Sequence, residues 1–125
     1  MKTLRIVFAT FVLATLSLSA SAQKPITHGG QWWKDKSETY REAFVNGFKS
    51  GMHHATNRET ELSPFTSAVL TAGVNKFYSD FRNENITVTD ALQYVADQLS
   101  GVPDEKLKAQ ILKLRAASAG APSDE

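Results

Sequence analysis

Residues 73–92 read GVNKFYSDFRNENITVTDAL, and this stretch decides the fold of the chain. Val74, Phe77, Tyr78 and Phe81 recur at spacings of three and four, which puts them on one face of an α-helix. Asn83-Glu84-Asn85 follows as a polar corner, and Asn tolerates the left-handed conformation that ends helices. Thr87-Val88-Thr89-Asp90 then supplies a hydroxyl cap and a first-turn acid for the next helix. The reading is helix, corner, helix.

Upstream of this stretch, Ser63-Pro64 carries the signature of a helix start, with Ser as cap and Pro at the first helical position. The helix that enters the corner is therefore expected to run from Pro64 to about Arg82. Its stripe would be Phe65, Val69, Leu70, Gly73 or Val74, Phe77 and Phe81. Before it, a polar loop spans residues 56–63. A first helix is expected from Lys36 to about His54, capped by Asp35 or Ser37. Tyr40, Ala43, Phe44, Gly47, Phe48 and Gly51 fall on one face of it. Gly47 and Gly51 lie four apart and predict a close-packed neighbour, since each costs a helix about 1 kcal/mol relative to Ala. Downstream of the corner, Leu92, Val95, Ala96 and Leu99 form the face of a third helix that stops at Gly101. Pro103-Asp104-Glu105 opens a fourth, with Leu107, Ile111 and Leu114 as its stripe and Arg115 in its last turn. The longest strand-like run is Ile86-Thr87-Val88. The expected fold is all-α, a small compact bundle of about four helices over residues 36–115.

The ends read differently. Lys2 and Arg5, the apolar run 6–18 and Ala20-Ser21-Ala22 make a charged, an apolar and a small-x-small region, the pattern of a cleaved secretory signal peptide over residues 1–22. The apolar run is too short for a permanent anchor across about 30 Å of hydrocarbon. A periplasmic or secreted protein follows, with no stable membrane insertion after cleavage. Residues 23–35 contain Pro25, Gly29 and Gly30 and read as a flexible leader ending in Trp32-Trp33. Residues 116–125 read as a disordered tail.

Removing 22 of the 125 residues leaves 103, enough for a domain that folds without staples. Of the 14 basic residues two go with the signal, leaving 12 against 13 acidic ones. That balance gives no electrostatic footprint for nucleic acid. The chain has no cysteine, which excludes disulfides, thiolate metal sites and cysteine nucleophiles.

Chemistry-bearing motifs are sparse. His53 and His54 are neighbours about 100° apart on a helix and do not converge on one metal. His28 sits in the leader. Gly47-Phe48-Lys49-Ser50-Gly51 has neither P-loop nor nucleophile-elbow spacing. Asn85-Ile86-Thr87 matches a glycosylation sequon, a chance match if the signal is bacterial. No catalytic residue, cofactor or metal is expected. The densest polar cluster is Tyr78, Asp80, Arg82, Asn83 and Asn85. Asp80 and Arg82, two apart, would diverge on a helix and tie the corner to the first or third helix.

The helix from Tyr40 to Gly51 after a signal peptide, together with the blocks 77–83, 88–92 and Gly101-Val102-Pro103, resembles small exported bacterial helical proteins. The layout is similar to that of the Tai-type immunity proteins, which block type VI secretion amidases in the periplasm. The resemblance implies a helical fold and a protein partner, and it assigns no residue a role. The expected function is non-enzymatic protein binding through Tyr78, Asp80, Arg82 and Asn83 with Trp32 and Trp33. The alternative is a periplasmic small-ligand or envelope-stress protein with a pocket lidded by the two tryptophans. The partner's identity and the oligomeric state stay open.

Overall fold

The computed structural model describes residues 28–119. The expected signal peptide, the leader up to residue 27 and the tail from residue 120 lie outside the described residues. Five α-helices follow one another: α1 (Gly30–Lys34), α2 (Glu38–Thr56), α3 (Ser67–Phe77), α4 (Val88–Leu99) and α5 (Asp104–Ser118), with a 3-10 turn at Phe81–Asn83. No strand occurs among the described residues, and Ile86-Thr87-Val88 forms the run into α4. The all-α bundle of four substantial helices is thus the structure.

Local chemistry sets the helix starts. Ser37 Oγ accepts from the Tyr40 amide at 3.3 Å, Thr66 Oγ1 from Val69 at 3.2 Å and Thr87 Oγ1 from Asp90 at 3.2 Å. Each satisfies one of the orphan amides of a first turn. α5 has no side-chain cap and begins after Pro103 with Asp104 and Glu105 in its first turn, where acids favour the helix dipole. α2 ends on Asn57 at φ 49°, in the left-handed region.

α3 lies at the centre, packed against α2 on one side and α4 on the other, and α5 packs against α4. The core is built from Val45 of α2, Leu70, Val74 and Phe77 of α3, Ala91, Leu92, Val95 and Ala96 of α4, and Trp33, Leu62, Tyr78, Ile86 and Val88 from α1 and the connections. α5 buries Leu107, with Ile111 and Leu114 packed on the core's edge. Among the described residues no helix is long and apolar enough to cross a membrane.

Several expectations are corrected here. α3 starts at Ser67 rather than Pro64. The Ser63 hydroxyl accepts backwards from the Thr60 amide at 2.9 Å, which closes a turn that buries Leu62 and leaves capping to Thr66. α3 also stops at Phe77, five residues before Arg82. Beyond it, Ser79 Oγ donates to the Lys76 carbonyl at 2.6 Å and Asp80 turns extended at ψ 111°. Local hydroxyl and carboxylate bonds of this kind compete with helix continuation. Phe81 is therefore no stripe residue. Val69 and Leu99, expected inside, are exposed, as is Tyr40.

The close-packed glycine is Gly73, not Gly47 or Gly51. A Cβ on Gly73 would stand 2.3 Å from Val95 Cγ1, whereas Cβ atoms on Gly47 and Gly51 would meet nothing within 4 Å. Residues 30–34 are helical rather than a loose leader, and the segment is tied down. The Gly30 amide donates to the Glu84 carbonyl at 2.7 Å and the Val88 amide to the His28 carbonyl at 2.7 Å. Gly30 is needed there, since a Cβ would lie 2.6 Å from the Tyr78 ring. The helical domain thus includes α1, and α5 extends to Ser118, into the expected tail.

Candidate functional site

The corner between α3 and α4 is built on Asp80. Its extended backbone turns the carboxylate back over the 3-10 turn, where Oδ1 accepts from the Arg82 amide at 3.0 Å and from Arg82 Nε at 2.9 Å. Oδ2 accepts from Arg82 Nη2 at 2.6 Å and from Arg115 Nη2 at 3.0 Å. Asp80 and Arg82 therefore pair in a fork, contrary to the expected divergence, because the residues between them are not α-helical. The anchoring element is also corrected: α5 holds the corner through Arg115, not α2 or α4. Arg115 Nε donates to Asn83 Oδ1 at 2.9 Å, and Asn83 Nδ2 donates to the Phe77 carbonyl at 2.8 Å, which closes off the end of α3. The Arg82 side-chain and backbone bonds hold the Asp80 carboxyl well below the usual carboxylate range, with the charges of Arg82 and Arg115 adding to them. A carboxylate so occupied is a poor proton acceptor.

The cluster expected on the surface divides by burial. Tyr78 and Asn83 are buried. The Tyr78 hydroxyl donates to the Ile86 carbonyl at 2.6 Å, and burial, with the nearby Asp90 charge, pushes its pKa well above the ordinary phenol value. These two residues hold the corner from inside. Asp80 is partly exposed, and Arg82 retains 60% of its side-chain surface. Between them stands Phe81, which is 78% exposed. Period alone puts it on a core stripe, and the helix end at Phe77 turns it outward. Asn85 is exposed beside them.

Next to the corner, α3, α4 and α5 enclose an open cleft of about 210 Å³. Phe77, Tyr94 and Ile111 supply apolar walls, and Lys76, Gln98 and Arg115 supply polar groups. Spacing held a hint of this cleft: Leu107, Ile111 and Arg115 are each four apart, so Arg115 continues the packed stripe of α5 rather than only ending it.

The tryptophans also part company. Trp33 is buried, and its Nε1 donates to Asn75 Oδ1 at 2.8 Å. Arg41 bonds both the Trp33 carbonyl, at 2.8 Å, and the same Asn75 oxygen, at 3.1 Å. Trp33 is thus a pinned core residue. Trp32 is half-buried, stacked on His28 at 3.9 Å and edge-on to Phe44 at 5.2 Å. That stack holds His28 in place, contrary to the loose placement expected of it. Neither indole lines the cleft. His53 Nδ1 lies 3.0 Å from the Arg58 carbonyl at an exposed helix end. Among the described residues no group of three potential ligands converges on a metal position.

Comparison with known protein families, with curated proteins and with solved structures finds no match to this chain.

Proposed function

We propose that this is an exported, non-enzymatic protein-binding domain, an inhibitor or immunity-like partner, and that the corner at residues 80–82 is its contact. The observation that carries the reading is Phe81, a large aromatic left 78% exposed on a turn that Asp80, Arg82 and Arg115 hold rigid. Aromatic and Arg side chains are the usual anchors of protein interfaces, and an anchor already fixed in place loses little entropy on binding. Export is supported by the charged, apolar and small-residue order of residues 2–22.

The test is a pull-down of C-terminally tagged protein from the envelope fraction of its host. Wild type and Tyr40→Ala, which alters an exposed aromatic elsewhere, should retain one stoichiometric partner that Phe81→Ala loses. Equal recovery of that partner by Phe81→Ala would overturn the assignment of the corner.

A further inference from the structure

We infer that the cleft beside Phe81 receives a carboxylate side chain, Asp or Glu, from an apolar-flanked acidic segment of a partner protein. The inference rests on the protein-binding reading of the corner and names the chemistry of what binds there.

Charge is the first argument. Asp80 is the one acid in the cleft lining, and it is consumed by two guanidiniums. One negative charge against Lys76 and Arg115 leaves the cleft lining at a net charge of +1, and Arg82, paired with Asp80 from outside the lining, adds a further positive charge. Lys76 takes part in none of the ion pairs among the described residues. Arg115, a residue of the lining, engages two of its N–H donors, at Nε and Nη2, with Asn83 and Asp80, and its Nη1 makes no hydrogen bond among the described residues. A carboxylate arriving there gains charge-assisted bonds in a partly desolvated place, the setting in which such bonds are strongest.

Shape is the second argument. The volume of about 210 Å³ falls below the roughly 300–1,000 Å³ of small-molecule sites. It fits one or two side chains rather than a whole metabolite. Phe77, Tyr94 and Ile111 give the cleft apolar walls, which favour an aliphatic or aromatic neighbour for the acid. Phe81 follows Asp80 of the lining in the chain and is exposed, which sets an aromatic side chain on the same turn as the acid of the cleft. The protein as a whole is nearly neutral, with 14 basic and 13 acidic residues, so the local positive charge is a property of this site and not of the surface at large.

The test is selection of random dodecapeptides, displayed on phage, on the purified protein, in parallel on Lys76→Glu and Phe81→Ala. Lys76 is exposed, so its replacement leaves the fold intact, as matching helical circular dichroism would verify. Wild type should enrich peptides with Asp or Glu beside an apolar residue. A Glu→Gln change in the selected peptide should weaken binding at least about fivefold, as expected for loss of a charge-assisted bond, and Lys76→Glu should abolish the acidic preference. Peptides that need Phe81 but show no preference for acids would overturn the carboxylate inference and leave the corner in place. An acidic preference unchanged in Lys76→Glu would overturn it as well. Acid-bearing peptides that bind Phe81→Ala as well as wild type would keep the cleft and remove the corner, and with it the reading on which the inference rests. Enrichment no greater than the library background on wild type would overturn both.

Discussion

Asp80 accepts five hydrogen bonds in this structure, four from Arg82 and one from Arg115, and that occupancy has a sign. Because the folded protein holds its carboxyl below the ordinary value, the contribution to stability is fully present above the usual carboxylate range and is lost as pH falls toward the depressed folded value. The urea midpoint of wild type should therefore drop further between about pH 6 and about pH 3 than that of Asp80→Asn, which has no such carboxylate to protonate. Equal drops would mean that the pairing in the corner is too solvated to matter. Tyr78 works in the other direction, from inside. Its hydroxyl serves the Ile86 carbonyl in a buried place, and Tyr78→Phe should cost about 1–3 kcal/mol in denaturant unfolding, the range for a buried polar group left without its partner. Residue chemistry was half legible from the sequence. The density of polar groups at 78–85 marked the corner, but the pairing of Asp80 with Arg82 depended on a helix ending where local hydroxyl and carboxylate bonds took over.

Helix glycines give the sharpest contrast among the elements. Gly73 sits against Val95 with no space for a methyl group, while Gly47 and Gly51 face open space. Gly73→Ala should destabilise by about 1–3 kcal/mol, the usual cost of overpacking. Gly47→Ala should stabilise by about 1 kcal/mol, the propensity difference with nothing to offset it. Thermal unfolding of the two variants side by side reads both, and a stabilised Gly73→Ala would mean that α3 and α4 can slide apart. Sequence periodicity found α2, α4 and α5 to within a few residues because the candidate caps lie close together, Asp35 or Ser37 for α2 and Thr87 or Thr89 for α4, and Pro103 marks the start of α5. It misplaced both ends of α3. At the N-terminal end two hydroxyl residues, Ser63 and Thr66, compete for the cap, and only tertiary burial of Leu62 decides between them. At the C-terminal end the apolar spacing continues through Phe81 although the helix does not. Periodicity records which residues are apolar, not which side of a turn they face.

At the scale of the whole molecule, α5 is the lightly held element. It buries Leu107, rests Ile111 and Leu114 on the core's edge, and is fixed to the corner by Arg115. Arg115→Ala should loosen α5 and speed its cleavage in limited proteolysis, while α2 to α4 keep their helical signal. An unchanged digestion pattern would assign the hold to Leu107 and its neighbours instead. The all-helical architecture was legible from stripes and caps. The cleft was not, because it joins Lys76, Gln98 and Arg115 from three helices whose mutual arrangement no local pattern encodes. Its one sequence trace is the spacing of Leu107, Ile111 and Arg115.

The strap formed by α1 bears on the order in which the chain can assemble. Trp33 finds Asn75 only 42 residues downstream, Lys34 finds Glu84 50 residues downstream, and the His28 carbonyl waits for the amide of Val88. A ribosome makes the strap first, yet the surface it docks on is incomplete until residue 88 has emerged. The earliest described segment to be synthesised is thus among the last to be seated. For most of translation the strap stays without its full set of partners.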